Sequence, residues 1–260
     1  MELQNFRDFT KHLQQNLETD PRVIGLVALG SMAEQGRTPD AWSDHDFFVI
    51  TVEGVQESFR QDLSWLPDSD KIVLAIRETE HGLKVFYEEG HLLEFAVFSI
   101  ADLTMARVND FRVLLDRAEI AAQMAAIQQP EAAATTFDPR RAVSMVLALS
   151  FVGTGRYRRG EQLSAHAFVK FYLLHHLLPL LAHVLKDQAK TSAKLDNLDP
   201  FRRFEAVFPD AGAQINRALL LPIPQAALVL IDIAEQYARP AISDYPATAV
   251  QMVRSYIQRL

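Results

Sequence analysis

At 260 residues the chain has room for one large domain or two ordinary ones, and 49% hydrophobic with 23% charged residues excludes a disordered or fibrous protein. Twenty-six Lys and Arg against 33 Asp and Glu leave a formal charge of −7. That balance does not draw a chain to nucleic-acid backbones, and it suits a cationic small molecule better.

Residues 3–17 carry Phe6, Phe9, Leu13 and Leu17 at helical spacing, closed by Pro21. The short β-branched run 23–29 reads as a buried strand ending at Gly30-Ser31. Residues 32–43 begin like a helical turn and become a Gly/Pro/Asp loop, and a second strand is expected over 44–52. Strands at 83–87 and 92–98 flank Glu88-Glu89-Gly90, a hairpin turn, and 71–77 and 112–115 are further strands. An Ala- and Gln-rich stretch at 123–137, with Pro130 inside it, marks the boundary. Beyond it apolar residues recur with helical period over 142–151, 164–186, 210–221, 225–237 and 247–260. The chain is therefore expected to be α+β: a mixed-sheet domain over 1–125, then an all-α helical bundle over 126–260.

There is no cysteine, which excludes disulfides, thiolate metal sites and cysteine nucleophiles and fits a reducing compartment. The first nine residues lack the basic-then-apolar order of a signal peptide. No uncharged apolar run reaches the roughly 18 residues of a membrane span; the best, residues 171–185, holds His175, His176, His183 and Pro179. A cytoplasmic protein without a membrane partner is expected. Apolar helices such as 225–237 have either the bundle or a homodimer partner to bury against.

The chemistry concentrates between Leu29 and Asp46. A strand that ends in Gly30-Ser31 and turns presents backbone N–H groups and a hydroxyl, and glycine lets an anion such as phosphate come close. Thirteen residues after Ser31 come Asp44 and Asp46, whose i, i+2 spacing on a strand puts both carboxylates on one face while His45 points away. Paired carboxylates suit a hard cation such as Mg²⁺, which takes oxygen ligands and commonly carries substrate phosphates. Glu94 is a third acid, set between Leu93 and Phe95, and a charge there needs a partner, a metal or solvent. If its strand lies beside that of Asp44, three carboxylates converge as metal-assisted nucleotidyl transfer requires.

Gly-Ser, a spacer, Ser-Asp-x-Asp on a strand and a later strand acid together resemble the nucleotidyltransferase superfamily that includes DNA polymerase beta. Within it the pattern is most similar to lincosamide and aminoglycoside nucleotidyltransferases. The hairpin with Glu94, the turn Tyr157-Arg158-Arg159-Gly160-Glu161 and the helical second half fit the same pattern. The resemblance implies a nucleotidyltransferase domain followed by a helical domain that completes the acceptor site. It further implies that Gly30 and Ser31 hold the β- and γ-phosphates of ATP or another nucleoside triphosphate, and that Asp44 and Asp46 bind two Mg²⁺ ions. Glu94 would be a metal ligand or the base for the acceptor hydroxyl. Glu161 would face the acceptor and Lys170 the triphosphate. The implied reaction moves AMP, as the first choice of nucleotide, to a hydroxyl of a small acceptor and releases pyrophosphate. Two alternatives stand beside it: a protein hydroxyl as acceptor, as in nucleotidyltransferase toxins, or a catalytically silent nucleotide-binding regulatory module.

Other residues have blander readings. His175, His176 and His183 are expected in the core or in interhelical hydrogen bonds, and Phe168, Phe171 and Tyr172 in the core. His45 is expected behind the sheet. Arg156-Tyr157-Arg158-Arg159 either contacts phosphates or forms a solvated turn, and a helix start is expected at Asp199-Pro200. Trp42, in the loop before Asp44, either stacks on a base or packs the loop down.

Overall fold

A computed structural model describes residues 2–35, 38–128, 137–189, 194–196 and 198–259. The chain divides into two compact units, Met1–Pro130 and Glu131–Leu260. The expected boundary residues 129–136 lie outside the described residues.

The first unit is built on a six-stranded sheet. Its strands are β1 (Val23–Leu29), β2 (His45–Thr51), β3 (Ile72–Arg77), β4 (Gly82–Tyr87), β5 (Leu92–Phe98) and β6 (Phe111–Asp116), in the order β3-β4-β5-β2-β1-β6. All neighbours are antiparallel except β2 and β5, which run parallel. Four helices accompany the sheet: α1 (Leu3–Glu18), α2 (Gln56–Gln61), α3 (Ile100–Leu103) and α4 (Ile120–Ile127). The last three are too short or too weakly patterned to stand out in the sequence.

The two faces of the sheet are covered differently. On one face α1 buries Phe6, Phe9, Leu13 and Leu17 against Leu26, Phe47, Val49, Leu93, Phe95 and Val97, the alternate residues of the central strands. On the other, Ile50, Ala96 and Phe98 meet Leu103, Ile120 and Met124 from α3 and α4. That second cover lies over the later residues of β2 and β5. Asp46 and Glu94, earlier on the same face, are only half-buried.

Among the described residues the elements of the second unit are helical: α5 (Pro139–Arg158), α6 (Gln162–Ala167), α7 (Leu174–Val184), α8 (Phe204–Val207), α9 (Pro209–Leu219), α10 (Ile223–Ala238) and α11 (Ala247–Gln258). Asp138 caps α5 by accepting from the Arg141 N–H, with Pro139 in the first turn. α5 is the central helix, packed against α6, α7, α10 and α11. Gly153 permits the approach: a Cβ there would lie 2.6 Å from Val169 Cγ2. The expected helix start at Asp199 is instead a turn, and α8 begins at Phe204 after Arg203 takes a φ of 65°.

Between α6 and α7 the chain forms a π-helical turn, Phe168–Tyr172. The extra residue per turn rotates the next helix relative to a regular 3.6 period. The expectation of a core position fails for Phe171, Tyr172, His175 and His183. Phe171 and Tyr172 are 51% and 46% exposed, His175 and His183 are exposed, and His176 is half-buried. Gln162–Val184 is by length and composition a candidate for crossing a membrane, although Lys170 interrupts its apolar run. Val169, Leu173, Leu174, Leu177 and Leu181 on it are buried in the bundle's core.

Candidate active site

The site begins where β1 runs out. Antiparallel pairing sets Ala28 opposite Phe47, so the next residues of β1 pass the start of β2. Gly30 turns there with a φ of +51° and opens a single 3₁₀ turn, Gly30–Ala33. A Cβ on Gly30 would lie 2.8 Å from Asp46 Oδ2, so glycine is what lets the carboxylate and the backbone share this corner. The Ser31 Oγ is buried at this turn without a hydrogen-bond partner among the described residues.

Asp44 lies just before β2 and Asp46 is its second residue. The parallel register places Asp46 directly opposite Glu94 on β5. One carboxylate oxygen from each of Asp44, Asp46 and Glu94 lies within 4.8 Å of the others, and all three residues are half-buried. Acids side by side across two strands repel one another. Oxygen ligands at about 2.0–2.6 Å around one hard cation stand at such separations, so the donor set fits Mg²⁺ or a similar ion.

A lysine stands beside the acids. Lys84 on β4 pairs with Glu94, its Nζ 3.1 Å from Glu94 Oε1 and 2.9 Å from Glu78 Oε1. Glu78 first and Glu94 second push the Lys84 pKa upward, which keeps the ammonium charged. Sequence reasoning passed over this residue, yet the signal was there. In a hairpin centred on residue 89, positions 84 and 94 are equidistant from the turn and become cross-strand partners.

The loop before Asp44 is held by Asp40, whose Oδ1 accepts from the Trp42 N–H at 2.9 Å and the Ser43 hydroxyl at 3.1 Å. Trp42 is 92% exposed, so it does not pack the loop down. An open cavity of about 440 Å³ lies alongside, lined by Asn5, Trp42, Ser43, Asp44, Glu89 and His91 among others. Among the described residues no Lys or Arg lines it, and Asp44 and Glu89 give it acidic character.

Behind the acids His45 is fully buried, stacked on Phe6 at 3.7 Å between ring centroids. Its Nε2 lies 3.0 Å from the Phe6 carbonyl oxygen and its Nδ1 2.7 Å from His91 Nε2. A carbonyl only accepts, so His45 carries its proton on Nε2 and accepts at Nδ1 from the His91 Nε2–H. Burial first, then His91, lowers the His45 pKa to about 3, and burial lowers that of His91 to about 4. Both rings are neutral near pH 7. Together they tie the leading ends of β2 and β5 to α1 behind the acids.

Glu161 and Lys170 belong to the second unit. Glu161 is bound by Arg159 at 2.8 Å and Arg156 at 2.9 Å, and these guanidiniums hold its carboxyl below the usual range. Arg158 donates to the Tyr256 carbonyl, so the basic cluster is engaged at the end of α5. The Lys170 ammonium donates to the Leu219 and Leu221 carbonyls, both at 2.7 Å, capping the end of α9. A triphosphate would have to draw it from both.

No family model and no curated protein matches the chain. Among solved structures it is similar to an aminoglycoside 6-adenyltransferase from Bacillus subtilis, at 11% identity and a TM-score of 0.40 over 96% of each chain. It is also similar to the E. coli MS115-1 CdnC:HORMA-deltaN complex, at 14% identity and a TM-score of 0.32 over 90% of each chain. A third is the Bradyrhizobium diazoefficiens CD-NTase CdnG in complex with GTP, at 14% identity and a TM-score of 0.27, covering 99% of this chain and 91% of that one.

Proposed function

We propose that the protein transfers a nucleoside monophosphate, AMP first among candidates, from a Mg²⁺-bound nucleoside triphosphate to a hydroxyl of a small acceptor. The observation that carries this reading is the convergence of Asp44, Asp46 and Glu94 within 4.8 Å, beside Gly30, where a positive φ and a Cβ position 2.8 Å from Asp46 Oδ2 disfavour a side chain. In this reading the three carboxylates hold Mg²⁺, which when bound neutralises charge developing around the α-phosphorus and the leaving pyrophosphate. Gly30 gives the triphosphate a close approach to backbone, and Ser31 offers it a hydroxyl that has no hydrogen-bond partner among the described residues. The acceptor oxygen bonds to the α-phosphorus as the α–β phosphoanhydride bond breaks, pyrophosphate leaves, and the acceptor's proton passes to a base or solvent. Glu94 stands in register with Asp46, which supports a ligand's role for it rather than a base's.

The cavity beside Asp44 supports an acceptor that is cationic or rich in hydroxyls, since its charged lining is acidic. Aminoglycosides and lincosamides are the classes to test first. The experiment is pyrophosphate release with Mg²⁺–ATP across a panel of both, each positive checked by product mass. The expected result is a mass gain of one AMP that vanishes in Asp46→Asn. A fully active Asp46→Asn protein would overturn the mechanism, and silence across the panel despite ATP binding would move the acceptor elsewhere, proteins included.

A further inference from the structure

One row of residues crosses the open face of the sheet: Asp46 is opposite Glu94, Glu94 opposite Lys84, and Lys84 opposite Ile76. Lys84 is 29% exposed in its side chain and sits between two carboxylates, Glu94 at 3.1 Å and Glu78 at 2.9 Å. Only the first belongs to the triad. Glu78 lies just past β3 on the far side of the lysine, and its backbone N–H donates to the Gly82 carbonyl, which fixes it at the mouth of the β3–β4 turn.

Three acids brought within 4.8 Å of one another need positive charge nearby when no metal is present. Lys84 supplies it through Glu94. A divalent ion that takes Glu94 as a ligand must compete with that ammonium. Glu78 makes the exchange inexpensive, because an ammonium that leaves Glu94 keeps a second partner. We infer that Lys84 is a resident counter-ion of Glu94 within the carboxylate triad, a positioning residue that holds Glu94 in place and then withdraws onto Glu78 when metal binds. The inference rests on the metal-binding role proposed above for Asp44, Asp46 and Glu94.

The two neighbours of Glu94 then have opposite effects on metal affinity. Removing the Lys84 charge leaves Glu94 to the cation alone, so Lys84→Gln should bind divalent metal more tightly, by roughly three- to tenfold at physiological salt. Removing the Glu78 charge confines the ammonium to Glu94, so Glu78→Gln should bind it more weakly, by roughly two- to fivefold. Lys84→Arg keeps the charge and should stay near wild type. A lysine serving the fold alone predicts no such opposition of sign.

The measurement is a Mn²⁺ titration of the full chain, followed by the electron paramagnetic resonance signal of free Mn²⁺, with circular dichroism to check that each variant is folded. Tighter binding in Lys84→Gln and weaker binding in Glu78→Gln supports the inference. Equal affinity in wild type, Lys84→Gln and Glu78→Gln, or weaker binding in Lys84→Gln, overturns it while leaving the metal site intact. If Lys84→Gln does not fold, the sign of the Glu78→Gln change decides alone. Asp46→Asn separates the two readings: a wild-type protein that does not bind Mn²⁺, or an Asp46→Asn variant that binds it equally well, removes the metal site itself.

Discussion

Gly30 and Asp46 compete for the same volume: a methyl group on Gly30 would stand 2.8 Å from Asp46 Oδ2, at a φ of +51°. Gly30→Ala should therefore act twice. It pushes the carboxylate aside, and it adds about 1 kcal/mol of strain from the left-handed backbone. The expected outcome is loss of Mn²⁺ affinity of at least tenfold with a modest fall in melting temperature. Calorimetric titration beside a thermal melt checks it; unchanged affinity would mean that Asp46 is not a ligand at this corner.

Glu94 tests the division of labour among the acids. As a ligand it should, when replaced by Gln, cost nucleotide–metal affinity and turnover together. As a base it would cost turnover far more than affinity. Equal losses in kcat and in the binding constant for Mg²⁺–ATP are expected from its register with Asp46. Turnover falling alone would return the base's role to it.

The His45–His91 pair makes the fold acid-sensitive. Both pKa values are depressed in the folded state, to about 3 and about 4, below an unfolded value near 6.5. Between those limits the unfolded chain binds more protons, so stability is full above about pH 6.5 and falls as the pH drops toward the folded values. Urea midpoints from pH 7.5 to 4.5 should decline accordingly. His91→Gln keeps an N–H donor for His45 Nδ1 while removing one titrating ring, and it should lessen the slope.

Trp42 is 92% exposed, so its truncation has little packing to lose. Trp42→Ala is expected to leave the melting temperature unchanged while raising the KM for nucleotide by about fivefold or more, the scale of losing one aromatic stacked on a base. A protein with both substrates' KM values unmoved would show the indole to be a bystander.

Lys170 holds the last carbonyls of α9 rather than an open position. Lys170→Met should destabilise the helical unit by about 1–3 kcal/mol, since two charge-assisted hydrogen bonds are lost where carbonyls have no helical partner. A differential scanning calorimetry shift is the check. A raised KM for nucleotide without a thermal shift would instead assign the ammonium to the triphosphate.

Much of this protein is legible along the chain. Phe6, Phe9, Leu13 and Leu17 announce α1, the β-branched run at 23–29 announces β1, and Glu88-Glu89-Gly90 announces the β4–β5 hairpin. These signals lie within one element or one turn, where near neighbours in sequence are near neighbours in space. The i, i+2 spacing of Asp44 and Asp46 belongs to the same class. The sequence by itself thus determined the longer elements of the sheet, the shared side of Asp44 and Asp46, and the division between a sheet-rich half and a helical half.

Tertiary structure decided the rest. That Glu94 meets Asp46 depends on β5 pairing parallel to β2 across the intervening α2, β3 and β4, a long-range register that no local pattern specifies. The close approach of Gly30 to Asp46 comes from β1 passing β2 on the other side. A π-helical turn at Phe168–Tyr172 interrupts the regular period read in the sequence, and Phe171, Tyr172 and His175 stand exposed there. Periodicity tells which side of an element is apolar, but only the packing of elements against one another sets which acid, glycine and lysine share a corner.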